Sequence, residues 1–406
     1  MYDVIIVGGG ASGLMSAIYA SKNNKVLLIE KNKECGRKLL MTGNGRCNFY
    51  NENQDLNNYY SSTPDLIKRI INKDNTKEVL NIFHKLGITP KINNGYYYPF
   101  SNQAITIRNV LLDELLQNKN ICIKYNTTVE NISKKNNRFI VNCNDDITFK
   151  SDKLILATGS KAFPKTGSDG MGYQFLKKFN HHINDIYPAL VQLKIDDPCK
   201  KNWIGIRSIV KIKNYENDIL KGTEEGEIQL TDYGISGICV FNLSGLIVKG
   251  LHEGKKEKVK INFVPFIEKD VYNYLKELNY RDKTVGKLLE GILNYKLVNV
   301  ILKKSKILRD KKFSNLNNQE ISSLITNLSE FTLTITGANS FLESQTCGGG
   351  IPLTEINLNT MESRKVSGLY ITGELIDLYG KCGGYNLTIS WITGFLAGRS
   401  VNYDKN

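Results

Sequence analysis

The 406-residue chain has no apolar run near the roughly 20 residues that a membrane helix needs. It has no CxxC pair, only four histidines, and no internal repeat or low-complexity segment. The first absence excludes a helical membrane protein. The cysteine and histidine pattern gives no basis for a structural zinc cluster, and no metal is expected. The eight cysteines (35, 47, 122, 143, 199, 239, 347, 382) are scattered, and the chain opens on a strand-like run at residues 4–7 rather than a basic leader. Free thiols and a cytoplasmic protein are therefore expected. The length exceeds what one core fills, so two or three domains are expected.

Arginine is also scarce, at ten of 54 basic residues, although the net charge is +14. That charge fits a nucleic-acid partner. It also fits a lysine-rich composition, because the excess is spread out: 24 basic face 19 acidic residues over 189–344. One stretch stands out, with Lys296, Lys303, Lys304, Lys306, Arg309, Lys311 and Lys312 set against the single acid Asp310. A solvated helix face is the plainer reading of it.

The chemistry starts at the N-terminus, YDVIIVGGGASGLMSAIYASKNNKVLLIEK. An apolar strand runs into Gly8-x-Gly10-x-x-Gly13, then a helix, then a strand over 26–29 that ends at Glu30. Gly8 permits a tight turn, Gly10 lets backbone approach a pyrophosphate, and Gly13 lets helix and strand pack closely. N–H groups of the helix start, around Ala11 and Ser12, offer a positive dipole end to phosphates. Glu30 stands where a carboxylate accepts bonds from ribose hydroxyls. This is a dinucleotide site, with Lys31 beside it.

Later segments point to FAD. SDKLILATGS is a buried strand ending in Ala157-Thr158-Gly159, and GLYITGE is another, ending in Gly373-Glu374. Asp377 follows, and then Gly383-Gly384-Tyr385-Asn386 opens a long apolar helix. The C-terminal segment thus returns to the first domain with a second helix N-terminus, which stabilises negative charge on a reduced flavin. Glu374 or Asp377 would bind ribityl hydroxyls. No second GxGxxG occurs, so a dedicated pyridine-nucleotide domain is not expected.

Between these segments lies GRKLLMTGNGRCN. Gly43 and Gly45 permit positive φ and close approach to a cofactor, and Thr42 opens that turn. Arg37, Lys38 and Arg46 neutralise pyrophosphate, an anionic substrate or reduced flavin, while Asn44 and Asn48 supply directional hydrogen bonds. Cys47 beside Arg46 is a candidate for a thiol of lowered pKa, against the reading of a small buried hydrophobe. Cys347 and Cys382, each beside Gly-Gly, rival it. Tyr96 and Tyr98 share one strand face and form a candidate aromatic wall, with Tyr97 on the other face. His181 and His182 are assigned no chemistry.

These segments, with ATGSKAFPKTGSDGMGY, PALVQL, LTDYGISG, TCGGGIP, TMESRKVSGLYITGELID and GKCGGYN, resemble the HI0933-like flavoproteins, a BaiN-type, aminoacetone-oxidase-like family of NAD(P)/FAD-dependent oxidoreductases. The chain departs from the family pattern at Tyr96, where the family carries Arg, at Asp232, where it carries His, and at Ser160, where it carries Gly. The resemblance implies an α/β fold: a Rossmann-like, glutathione-reductase-like FAD domain (1–188 and 345–406), an inserted β-barrel (189–264 and 327–344) and a helical insert (265–326). It implies NAD(P)H as transient reductant, while the residues themselves make Cys47, Cys347 and Tyr98 the candidate catalytic groups. The implied reaction is reduction of an activated C=C bond. Uridine in large-subunit ribosomal RNA is the first substrate, for the lysine-rich insert and the tyrosine run, and a steroid-like or bile-acid-like enone is the alternative. An oxidase and a flavin-binding sensor without turnover stay open.

Overall fold

A computed structural model describes residues 1–267, 270–279 and 281–402; residues 268, 269 and 280 of the expected helical insert and 403–406 of the expected FAD domain lie outside this range. The chain divides into two compact units, Met1–Tyr187 with Gln345–Asn406, and Pro188–Ser344.

Among the described residues, nine strands form the main sheet of the first unit. Its centre is parallel, in the order Leu369–Ile371, Thr148–Leu156, Tyr2–Val7, Val26–Ile29, Ile121–Lys124. These strands read as apolar runs because both faces are covered; Val4, Ile5, Ile6, Leu154, Ile155 and Leu156 are fully buried. An antiparallel meander, Val129–Lys135 and Arg138–Cys143, leads into Thr148–Leu156.

The chain ends meet through small residues. The C-terminal helix Tyr385–Ser400 packs on the first helix Ala11–Ala20. A Cβ at Gly394 would sit 2.4 Å from the Ser12 carbonyl oxygen, and one at Gly398 2.4 Å from that of Ser16. The Ser16 hydroxyl donates to the Gly394 carbonyl at 3.1 Å. The helix is apolar all round because it is buried; Trp391 is fully buried and its indole N–H donates to the Phe49 carbonyl at 2.9 Å.

In the second unit, six strands close a barrel in the order Leu193–Ile195, Gly234–Ser236, Ile219–Leu230, Arg207–Glu216, Glu257–Asn262, Phe331–Ala338, among the described residues. Every neighbouring pair is antiparallel. Alternation turns Val210, Ile212 and Asn214 inward on one strand and Glu257, Val259 and Ile261 on the next. Helices Val271–Leu278, Val285–Glu290, Tyr295–Ser305 and Asn318–Ser329 lie in sequence between the last two strands.

Two local features of this unit depart from what its glycines and apolar runs alone suggest. Gly222 and Gly226 sit inside one long strand, where Gly222 makes room for Leu243, and the hairpin turns instead at Asn217-Asp218, both at positive φ. Paired Asn and Asp tolerate that conformation, as a tight hairpin requires. The apolar stretch KLLEGILNYKLVNVILKK is two helices rather than one: the first stops at Gly291, and Asn294 caps the second by accepting from the Lys296 N–H.

Candidate functional site

The glycine turn between Tyr2–Val7 and Ala11–Ala20 is built by backbone crowding. Gly8 adopts φ 104°, and a Cβ there would lie 2.4 Å from the Ala157 carbonyl oxygen. A Cβ at Gly13 would lie 1.9 Å from the Gly8 carbonyl oxygen, whereas Gly10 meets nothing within 4 Å. Gly10 caps the helix without a side-chain bond, so the helix start faces open space. Glu30 is buried at the foot of this turn, where it accepts from the Gly9 N–H at 2.8 Å and from the Asn32 N–H and side-chain amide at 2.8 and 2.6 Å. Cys35 packs under Gly9, and burial, with Glu30 adding to it, pushes its thiol up to about 12.

Ala157, Thr158 and Gly159 continue the same surface. The Ala157 N–H donates to the Val7 carbonyl, Thr158 packs on Gly172, and Gly159, at φ 75°, leaves room for Ser168. Gly373, at φ 64°, faces Ser12 of the first helix. The return of the C-terminal segment is thus a set of direct contacts around one turn.

A second focus joins the TGNGRCN loop to the Gly383-Gly384 turn. Residues 42–45 form a 3-10 turn in which Gly43 and Asn44 are left-handed. A Cβ at Gly43 would meet the Asn48 N at 3.1 Å and Tyr98 at 3.6 Å. Gly384, at φ 95°, sits against the Tyr50 backbone and the Asn48 Oδ1, while Gly383, at φ 122°, sits against the Tyr96 ring. The Asn51 amide donates to the Gly383 carbonyl at 2.8 Å. Tyr97 turns the other way, onto Tyr50 and Phe49. Arg46 and Gly45 are exposed, and the Arg46 guanidinium lies 5.5 Å from the Tyr98 ring centre.

Several charged and polar candidates have protein partners. The Lys38 ammonium binds both Glu374 oxygens at 2.9 and 2.7 Å, and the Ser160 hydroxyl adds a bond at 2.7 Å. Lys31 pairs with Asp169 at 2.6 Å, and Arg37 donates to Asn32 at 2.8 Å. Asp377 is buried, accepting from the Ser62 N–H and the Asn184 amide. Asn386 closes its own turn through both Gly380 backbone groups, and the Thr42 hydroxyl bonds the Leu39 carbonyl. Tyr385 is buried edge-on to Tyr59.

The thiols differ from the expectation most clearly. Cys47 is fully buried, and burial pushes it up to about 12 despite a bond from Thr42. The side chain turns inward while Arg46 turns to solvent, so their adjacency in sequence does not lower the thiol pKa. Cys347 is buried and pushed up to about 11 by burial, against the pull of Ser160. His181 is buried between Glu355 at 2.7 Å and Ser363 at 2.8 Å, with no contact to this focus among its bonds. Among the described residues no group of three His, Cys, Asp or Glu side chains could hold a metal ion, and no helix is long and apolar enough to cross a membrane.

The buried Asn48 Oδ1 makes no hydrogen bond, and elsewhere in the unit neither does the Thr346 hydroxyl. Thr346 carried no signal in sequence, being an ordinary residue beside a cysteine. An open helix start at Gly10 and paired glycines at positive φ fit a dinucleotide cofactor.

Comparison with known proteins agrees with this geometry. Residues 2–400 match the HI0933-like protein Rossmann domain. The 3-dehydro-bile acid delta(4,6)-reductase of Clostridium scindens is 38% identical over 99% of both chains. The ribosomal RNA dihydrouridine synthase of Escherichia coli is 26% identical over 98% of both. Among solved structures, 3-ketosteroid delta1-dehydrogenase from Sterolibacterium denitrificans superposes with a TM-score of 0.50 at 13% identity, covering 100% of both chains, a likeness of fold. The chain belongs to the HI0933-like family of FAD-dependent oxidoreductases, with a Rossmann-like FAD-binding domain and an inserted six-stranded barrel.

Proposed function

We propose that this protein uses NAD(P)H and FAD to reduce a C=C bond conjugated to a carbonyl, and that its substrate is a small cyclic enone. The observation that carries the reaction is the meeting of the TGNGRCN loop with the Gly383-Gly384 turn around Asn48. Bound FAD would accept hydride from the nicotinamide and pass it on to the electron-poor carbon of the substrate. Gly8, Gly10, Gly13 and the start of the first helix would hold the pyrophosphate, Glu30 the adenosine ribose, and the positive end of the helix Tyr385–Ser400 the ring.

The remaining work falls to residues at the rim. Tyr96 and Tyr98 offer ring faces to a flat substrate, and Arg46 polarises its carbonyl oxygen. A proton must reach the carbon next to the carbonyl. With thiols raised to about 12 and about 11, Cys47 and Cys347 stay protonated at neutral pH, so nucleophilic attack by either is disfavoured. Cys347 and the half-buried Tyr98 are the protic groups we assign to that step.

The enone is preferred to ribosomal RNA on two grounds. The relative that is 38% identical is named for bile-acid reduction. The lysine-rich stretch, the main reason to expect phosphate contacts, is largely paired within its own unit: Lys304 with Asp197, Arg309 with Glu290, Lys311 with Glu320 and Lys312 with Asp282. Uridine is the second reading, since its C5=C6 bond is also conjugated to a carbonyl. It is favoured by the 26% identical relative and by exposed Arg46 beside Tyr98. Stopped-flow reoxidation of the NAD(P)H-reduced protein tests the choice. Rapid turnover with a 3-keto-Δ4 steroid supports the enone. No reoxidation by any enone, together with loss of dihydrouridine from ribosomal RNA in cells lacking the protein, supports uridine. Fast reaction with oxygen alone would mark an oxidase.

A further inference from the structure

We infer that Tyr96 is a specificity-determining residue: its ring carries the end of the substrate remote from the reacting carbonyl, so the protein prefers an enone built of fused rings to one of a single ring. The inference rests on the enone reading above and goes beyond it by naming the residue that discriminates. Tyr96 is 37% exposed, so its ring is open to a ligand. It is also held in place. A Cβ at Gly383 would lie 2.6 Å from the ring. Asn51, directly across the sheet from Tyr96, fixes that glycine by donating its amide to the Gly383 carbonyl at 2.8 Å.

The strand Tyr96–Pro99 links the two glycine turns. Tyr97 packs against Phe49 and Tyr50, which fixes the strand's facing. Tyr96 and Tyr98 therefore share the other face, about 7 Å apart along the chain. The Tyr98 ring lies at the Gly43 turn, 3.6 Å from where a Cβ would be. The two ends differ in charge. Beside Tyr98 stand the Arg46 guanidinium, 5.5 Å from the ring centre, and Lys91, its cross-strand partner. The cross-strand partners of Tyr96 are the uncharged Asn51 and Asn93. A carbonyl oxygen gaining charge is stabilised at the cationic end. A single ring oriented that way covers one tyrosine and leaves the other bare. A fused ring system reaches both and removes more apolar surface from water.

The test measures kcat/KM of the FAD-loaded protein, with NAD(P)H, for a 3-keto-Δ4 steroid and for cyclohexenone. The parent is expected to favour the steroid. In Tyr96→Ala the steroid-to-cyclohexenone ratio should fall about tenfold, mainly through KM for the steroid, the factor for one lost aromatic contact. Tyr96→Phe, which keeps the ring face, should hold the parent ratio. An unchanged ratio in Tyr96→Ala overturns the assignment. So does an equal loss on both substrates, the result a purely structural tyrosine would give, and so does a Tyr96→Phe variant that falls as far as Tyr96→Ala. A parent that reduces neither enone overturns the enone reading itself and this assignment with it, an outcome distinct from an unchanged ratio.

Discussion

Glu257 in the barrel wall gives a prediction whose size follows from its surroundings. It is 1% exposed, and neither of its carboxyl oxygens nor either polar atom of the neighbouring Asn214 side chain makes a hydrogen bond. Glu216, on the adjacent strand, is held by Lys221 at 3.1 Å and Lys255 at 3.2 Å. Burial lifts Glu257 from 4.5 to about 7; Asn214 pulls against the shift and Glu216 adds to it. The native state thus binds this proton more tightly than the unfolded chain does. Its contribution to stability is intact below pH 4.5, is lost as pH rises towards 7, and is constant above that. A difference of about 2.5 pH units at 1.36 kcal/mol each amounts to about 3 kcal/mol. Glu257→Gln removes the titration and keeps the shape. Urea midpoints of parent and variant, measured in parallel from pH 4.5 to 8.5, should diverge in favour of the variant by up to about 3 kcal/mol. Taking the difference cancels the other titrating groups. A difference that stays flat with pH refutes the reasoning.

Other consequences follow from packing and from the thiols. Gly394→Val should destabilise the first unit by about 1–3 kcal/mol through overpacking against Ser12, read as a lowered thermal midpoint; an unchanged midpoint would deny that small residues join the chain ends. Cys47 should resist iodoacetamide at pH 8, and Cys47→Ala should retain reductase activity within about threefold, because a fully buried thiol at about 12 has almost no thiolate. Rapid labelling with parallel loss of activity would restore it as a reactive group. Lys38→Met leaves the Glu374 carboxylate with only the Ser160 bond and should cost about 1–3 kcal/mol, seen in chemical denaturation.

How much was legible in sequence depended on whether a residue's task is local. Gly8, Gly10 and Gly13 could be read because their demand is on their own backbone. The partners of charged groups could not. Lys38, Lys31, Asp377 and Asn386 read as cofactor contacts, and nothing local announced their protein partners; Lys38 meets Glu374, hundreds of positions away in the chain. Cys47 misled for a related reason: sequence neighbours such as Arg46 need not share a side of the backbone. Gly394 and Gly398 passed unremarked in an apolar helix, since their purpose exists only against Ser12 and Ser16. Asn48 was legible as a hydrogen-bonding residue, but its unmatched oxygen appears only once the fold buries it.

The central claim is that one flavin dinucleotide, enclosed where the chain ends meet, passes hydride from NAD(P)H to a conjugated alkene. Anaerobic mixing of the FAD-loaded protein with NADH or NADPH, followed by a 3-keto-Δ4 steroid, addresses it directly. The account predicts bleaching of the flavin absorbance by the nicotinamide and its full return on adding the enone, with one reduced alkene formed per flavin. A folded protein that binds no FAD, or whose bound FAD neither nicotinamide can bleach, would contradict it.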